Sequence, residues 1–189
     1  MSVTPVKLIG ISGSLREGSY NTLLLRSLEE FMPADVKFEI IETLGLLPFY
    51  NPDLESDLPE VARNLRDEVR DADGLIIASP EYNYSFTAVL KNAIEWLTRP
   101  PADSALEAKP VALVGAAPGL YGTVRGQGQL RQVLHGANAL VISRPEVYVN
   151  EVAKKFDGSG TLTDPIAREL SGALVNNLLT TIHRIRRDQ

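Results

Sequence analysis

Short apolar runs alternate along this chain with longer stretches in which apolar residues recur every three or four positions. Val6–Ile11, Phe38–Leu44, Gly74–Ser79, Lys109–Ala116 and Leu140–Ile142 are the runs and are expected to be strands; the unbroken apolar character of Gly74–Ser79 is that of a strand buried on both faces, and Val6–Ile11 reads as buried too. Helical spacing fills the intervals. From about Thr22, Leu23, Leu24, Leu28 and Phe31 mark one side of a helix, with Pro33 beyond its end. Pro59 opens a second helix to about Ala72, with Val61, Leu65 and Val69 inward. Thr87–Arg99 carries Val89, Leu90, Ala93, Ile94, Trp96 and Leu97 at helical spacing, with Lys91, Asn92 and Glu95 between them. Val124–Leu134 is a fourth helix. Thr163-Asp164-Pro165 caps a terminal one whose apolar positions include Ile166, Leu170, Leu174, Leu178 and Ile182. Its basic end, Arg184, Arg186 and Arg187, suits the helix dipole. Tyr148–Thr163 is expected to be irregular and contains the turn signature Asp157-Gly158-Ser159-Gly160.

Five strand–helix alternations predict a parallel sheet with helices on both faces. The 189 residues show no repeats and no linker, so one domain spanning residues 1–189 is expected. Length and alternation fit an α/β three-layer sandwich of the flavodoxin-like kind, five strands in the order 2-1-3-4-5. In that topology the loops after strands one, three and four gather at one edge, where ligands bind in open α/β sheets.

Those three loops carry the candidate chemistry. The first, Ser12-Gly13-Ser14-Leu15-Arg16-Glu17-Gly18-Ser19-Tyr20-Asn21, joins a strand to a helix through small residues, an anion-cradle layout. It is not the dinucleotide fingerprint, because Ser12 stands where the second glycine belongs. Nor is it a P-loop, because Ser19-Tyr20 replaces the Lys-Ser/Thr pair after Gly13 and Gly18. The hydroxyls of Ser14 and Ser19, the amide of Asn21 and the guanidinium of Arg16 suffice for a single phosphomonoester. The competing reading is a turn whose side chains only cap a helix. In the second loop, Ser79-Pro80-Glu81-Tyr82-Asn83-Tyr84-Ser85-Phe86, Pro80 ends the strand and Ser85 is placed near the next N-cap. This loop has backbone N–H groups, two tyrosines and an asparagine but no nucleophile–base pair, which suits holding a flat heteroaromatic. Ala117-Pro118-Gly119-Leu120-Tyr121-Gly122 is the third loop. Phe49 and Tyr50, in the irregular segment after strand two, are expected to cover the core in preference to lining a cleft.

Composition narrows the function classes. With 24 acidic and 19 basic residues the net charge is −5, which argues against non-specific nucleic-acid binding. Zero cysteines exclude disulfides, thiol catalysis and thiolate metal sites. His135 and His183, far apart, do not suggest a histidine metal centre. Leu8–Ile11 is too short for a signal peptide and nothing downstream reaches transmembrane length, so a cytoplasmic protein without membrane partners is expected.

Gly13-Ser14-Leu15-Arg16 with Ser19 and Asn21, then Pro80-Glu81-Tyr82-Asn83 and Leu90-Lys91-Asn92-Ala93-Ile94-Glu95-Trp96, resemble the NADPH-dependent FMN reductase family, and within it the bacterial quinone and chromate reductases. The resemblance runs from Val6 to about Glu146. It implies bound FMN and electron transfer from NADPH or NADH to quinones, with chromate, azo or nitro compounds and free flavin as further acceptors. Carried over by position, Ser14, Arg16, Ser19, Asn21 and Thr22 would hold the FMN phosphate. Pro80, Glu81, Tyr82 and Asn83 would run along the isoalloxazine, and Ala117 and Gly119 would meet its pyrimidine edge. The chain departs from the family pattern around Ala116-Ala117, where serine is frequent, and near Thr123 and Gly128. The flavin would carry the redox step, accepting hydride at N5 in a ping-pong cycle, with no catalytic side chain demanded. The resemblance also implies a homodimer or homotetramer; Arg125 and Glu146, each beside a loop on the expected active-site side, are candidates to pair across a subunit boundary, the competing reading being two unrelated surface charges. A flavodoxin-type electron carrier and a non-redox nucleotide-binding regulator are the alternatives that the fold would equally permit.

Overall fold

The computed structural model describes residues 5–188. Among these residues six parallel-paired strands and five α-helices follow in the order β1 (Val6–Ser12), α1 (Tyr20–Ser27), β2 (Val36–Ile41), α2 (Glu60–Asp71), β3 (Gly74–Ala78), α3 (Ala88–Leu97), β4 (Pro110–Ala116), α4 (Val124–Gly136), β5 (Leu140–Val141), β6 (Val147–Val149) and α5 (Pro165–Asp188). The sheet order is β2-β1-β3-β4-β5, the flavodoxin-like order expected from the alternation. Register aligns Ser12 with Ala78 across β1 and β3, and Ala78 with Val114 across β3 and β4, so three strands end almost level.

Alternation along each strand divides the core. Leu8, Ile76 and Val114 pack with Leu24, Leu25 and Leu28 of α1 and Leu174, Leu178 and Ile182 of α5. Ile9, Ile11, Leu75, Ile77 and Leu113 face Leu65 and Val69 of α2, Leu90, Ala93 and Ile94 of α3, and Leu130 and Leu134 of α4. A strand buried on both faces shows no polar alternation, which is why these runs are uniformly apolar.

The sheet has one strand more than expected. Val147–Val149 pairs with Val114–Ala116 while Leu140–Val141 pairs with Pro110–Val111, so both line the same edge of β4 with Ile142–Glu146 between them. A three-residue strand carries too little periodicity to stand out in the sequence. The second strand ends at Ile41 and Leu44 falls in a 3-10 turn, Thr43–Leu46. Thr87, not Ser85, caps α3: its hydroxyl accepts from Leu90 N–H at 3.3 Å and donates to the Gly13 carbonyl at 2.8 Å. Asp164 caps α5 by accepting from Ala167 N–H at 2.9 Å, as its position before Pro165 predicts. Ile166 is 68 % exposed; the buried stripe of α5 runs instead through Ala167, Ser171, Leu174, Val175, Leu178, Leu179 and Ile182.

Phe49 and Tyr50 part company. Tyr50 meets Trp96 edge-on with centroids 5.2 Å apart, and its hydroxyl bonds to Glu55, which raises its pKa. Phe49 is 84 % exposed and covers no core. The segment is clamped to α3 by one helical face: Trp96 Nε1 and Asn92 Nδ2 donate to the Pro48 carbonyl at 2.8 and 2.9 Å, and Asn92 Oδ1 accepts from Tyr50 N–H at 2.8 Å. Two residues four apart on a helix point the same way, so one short stretch holds both sides of the loop.

Candidate functional site

The level ends of β1, β3 and β4 bring the three loops to one edge. The strand ladder runs on into them: Gly13 N–H donates to Ala78 O at 2.8 Å and Ser79 N–H to Val114 O at 3.1 Å.

In the first loop, Ser19 has extended backbone angles and caps α1, its hydroxyl accepting from Thr22 N–H at 3.4 Å. The hydroxyls of Ser12 and Thr22 lie 2.9 Å apart, and Ser14 Oγ accepts from Arg16 N–H at 3.4 Å. Gly18, at φ +63°, makes the left-handed turn that sends the chain into the helix. Among the described residues the N–H groups of Tyr20 and Asn21 donate to no protein acceptor, and the exposed guanidinium of Arg16 has no protein partner. A cavity of about 350 Å³ opens here towards β2, walled by Ser12, Ser14, Arg16, Ser19 and Thr22, by the charged Glu17, Arg26 and Glu42, and by apolar Leu15, Leu23, Ile40 and Leu44. Open helix N-terminal donors, hydroxyls and an unpaired cation on one side of an apolar wall fit a phosphomonoester on a longer organic body. The donor set therefore fits FMN.

The side chain of Asn21 stands apart from that set. It is buried and pairs with Ala116 as a neighbouring strand would, donating to its carbonyl at 2.9 Å and accepting from its N–H at 3.0 Å. The amide counted from the sequence as an anion ligand is thus occupied in tying α1 to the end of β4, and only its backbone N–H faces the turn.

The second loop folds as a tight hairpin. Tyr82 and Ser85 exchange backbone hydrogen bonds of 2.9 and 3.0 Å, with Asn83 and Tyr84 between them at φ 49° and 68°. Two successive left-handed residues make the primed turn that asparagine tolerates and tyrosine does not favour. Glu81, Asn83 and Tyr84 keep backbone N–H groups without protein acceptors among the described residues, whereas Tyr82 N–H is taken. The Glu81 side chain turns to α4, accepting from Arg125 N–H at 2.9 Å, Gly126 N–H at 3.1 Å and Arg125 Nη1 at 3.2 Å. Arg125 lies between two rings, 4.3 Å from the Tyr84 centroid and 4.6 Å from that of Tyr121, a geometry that favours cation–π attraction to both. Ser85 Oγ donates to Gln129 Oε1 at 2.6 Å, and Gln129 Nε2 to Tyr84 O at 3.0 Å.

The third loop is less open than expected. Ala117 N–H donates to Val149 O at 2.9 Å, and Gly119 O accepts from Gly122 and Glu151 N–H, each at 3.4 Å. The backbone N–H of Ala117, a residue expected to meet a pyrimidine edge, is therefore engaged by the unanticipated β6. Leu120 and Tyr121 are exposed. Arg125 and Glu146 have separate partners within the chain: Arg125 pairs with Glu81, and Glu146 lies 3.8 Å from Arg131 Nε. Tyr148 beside them has its pKa raised, first by burial and then by its bond to Glu146.

No group of histidine, cysteine and carboxylate side chains suited to a metal ion occurs among the described residues. No described helix is long and apolar enough to cross a membrane. The long-range ties of Asn21, Glu81 and Thr87 escaped the sequence because each goes wholly or partly to backbone groups, whose position no residue type signals.

Comparison with known proteins draws these features together. The chain is 40 % identical over 182 residues to an NAD(P)H-dependent FMN reductase of Pseudomonas aeruginosa, covering 96 % of this chain and 97 % of that one. It is 37 % identical over 164 residues to a 2-hydroxy-1,4-benzoquinone reductase of a Burkholderia species, covering 87 % and 89 %. Its structure superposes on the flavoenzyme NAD(P)H:(acceptor) oxidoreductase of Paracoccus denitrificans with a TM-score of 0.87 at 31 % identity, covering 95 % of this chain and 98 % of that one. Residues 6–154 match the sequence profile of NADPH-dependent FMN reductases. With the strand order, the phosphate-fitting turn and the hairpin after β3 all in place, the chain belongs to the NADPH-dependent FMN reductase family.

Proposed function

We propose that this protein passes electrons from a reduced nicotinamide cofactor to quinones. Membership of the family makes it an NAD(P)H-dependent oxidoreductase with FMN as its cofactor; the acceptor class is our reading, supported by the relative named for a benzoquinone. The observation that carries it is the juxtaposition at one sheet edge of an open anion cradle and a hairpin with free N–H groups flanked by exposed rings.

Bound FMN would supply the two-electron chemistry between nicotinamide and acceptor. The residues have the remaining tasks. Arg16, the hydroxyls of Ser14, Ser19 and Thr22, and the first N–H groups of α1 would neutralise and orient the phosphate. The N–H groups of Glu81 and Asn83, held by the hairpin, would donate to the polar edge of the ring. Donors fixed in advance need no reorganisation as charge develops there. Pro80 and Tyr82 would flank the ring along the same segment, and Gly119 would border it from the third loop. Tyr82, Tyr84 and Tyr121 leave exposed ring surface against which a flat donor or acceptor can stack. No side chain at this edge needs to act as general base. Chromate, azo and nitro compounds and free flavin fall within the same reading, as acceptors small enough to reach an exposed flavin. A single FMN-binding domain, a homodimer or homotetramer and a cytoplasmic location complete it.

The test is the visible spectrum of the purified protein, followed anaerobically with NADPH, then NADH, then a benzoquinone. A flavin band that bleaches with nucleotide and returns with quinone is the expected result. A band that persists with both nucleotides indicates an electron carrier. A colourless protein that takes up no FMN overturns the reading.

A further inference from the structure

Helix α4 is capped from outside its own loop. Its N-cap residue, Thr123, makes no side-chain bond to the first turn; its hydroxyl instead accepts from Gln127 Nε2 at 3.0 Å. The first-turn donors of Arg125 and Gly126 go to the Glu81 carboxylate, 44 and 45 residues away. A negative charge at a helix N-terminus interacts favourably with the dipole. Here it is also paired with a guanidinium, and the Glu81 side chain is only 10 % exposed. The approach is close because residue 126 is glycine: a Cβ there would stand 3.1 Å from Ser85 O and 3.2 Å from Phe86 N. The same helix grips the hairpin further on, through Gln129 to Ser85 and Tyr84, and Arg125 is stacked between Tyr84 and Tyr121.

Glu81 is therefore held by its carboxylate on one side while its backbone N–H is open on the other. It is followed within three residues by two left-handed residues, one of them a tyrosine. Such a turn persists only where its surroundings over-determine it. We propose that Glu81 is a positioning residue: by capping α4 it fixes the Pro80–Ser85 backbone in the conformation that receives the flavin ring, and couples that loop to the one carrying Tyr121. The proposal rests on the reading that this edge holds FMN. The carboxylate itself is engaged by α4. A site whose supporting contacts are lost binds loosely even when all its ligand-facing groups remain.

Riboflavin separates this role from phosphate binding, since it has the ring without the phosphate. Dissociation constants for FMN and riboflavin are measured by flavin fluorescence on the flavin-stripped, reconstitutable protein, with thermal unfolding in parallel. In Glu81→Ala both flavins are expected to weaken by the same factor, about tenfold, the scale of losing hydrogen bonds to a charged group. Glu81→Gln, which keeps an acceptor oxygen, weakens both by about threefold. Arg16→Ala weakens FMN and leaves riboflavin as it was. A Glu81→Ala protein that melts lower yet binds both flavins like the wild type overturns the proposal, because the cap then serves α4 alone. Should Glu81→Ala fail to fold, Glu81→Gln and Tyr84→Ala decide by the same criterion. A wild-type protein that binds neither flavin refutes the FMN reading, a result distinct from normal wild-type binding with no effect of Glu81.

Discussion

The loops after β1 and β3 lie side by side at the same sheet edge, yet different kinds of contact hold them. The first is built from neighbours: Ser14 with Arg16, Ser19 with Thr22 and Ser12 with Thr22, two, three and ten residues apart. The second is held from elsewhere, by Glu81 and Ser85 with α4 across 44 positions, and Thr87 ties the first loop to the start of α3 through Gly13 across 74. A locally closed turn keeps its shape at small entropic cost, whereas the hairpin depends on the whole sheet having formed. The first loop can therefore leave a cation and backbone donors open for a ligand. The second takes its conformation from α4, and function there is sensitive to residues that need not touch the ligand.

Perturbing each kind of contact should separate the two regions. The largest effect is expected where the first loop's helix does reach across the sheet. Asn21→Ala leaves the Ala116 N–H and carbonyl buried without partners and should cost roughly 2–4 kcal/mol of stability in urea unfolding. A wild-type midpoint would mean that Ala116 finds other partners and that the tie is dispensable. Arg16→Ala sits at the opposite pole. Removing a charge-assisted bond should weaken FMN by about ten- to a hundredfold while leaving the urea midpoint unchanged, because the guanidinium has no partner among the described residues. A parallel loss of stability would show that the first loop is not independent of its ligand groups. Thr87→Val deletes both the α3 cap and the bond to Gly13 and should cost about 1–2 kcal/mol, measured as a shift in the same urea midpoint.

The smallest effect belongs to a turn closed by its own residues, Asp157–Thr161. The Asp157 carboxylate is held below the usual carboxylate range, first by its bond from Ser159 and then by backbone donors. A depressed folded pKa stabilises the protein above the unfolded carboxylate's range, and that contribution is lost as pH falls through the folded value. Asp157→Ala should therefore lower the melting temperature slightly at neutral pH, and the difference from wild type should close in acid. A difference that stays constant with pH would assign the effect to packing and not to the charge.

Apolar runs and helical spacing determined the layers, the strand order and the edge at which the loops gather, because burial on both faces leaves a continuous apolar signature and a parallel crossover has few solutions. That a turn of small residues with a lone guanidinium opens a helix was equally legible, since capping and turn chemistry act within a few residues, though Ser19 as the cap itself came from the structure. Only the tertiary structure decided that the Asn21 amide serves Ala116, that Thr87 and not Ser85 caps α3, and that Val147–Val149 forms a strand engaging Ala117. It alone placed the Glu81 carboxylate on α4. In each case a side chain or strand edge meets backbone groups supplied by a distant element, and a backbone N–H or carbonyl is the same at every position along the chain. Such a partner has no identity in the sequence; it acquires one when the sheet sets its register.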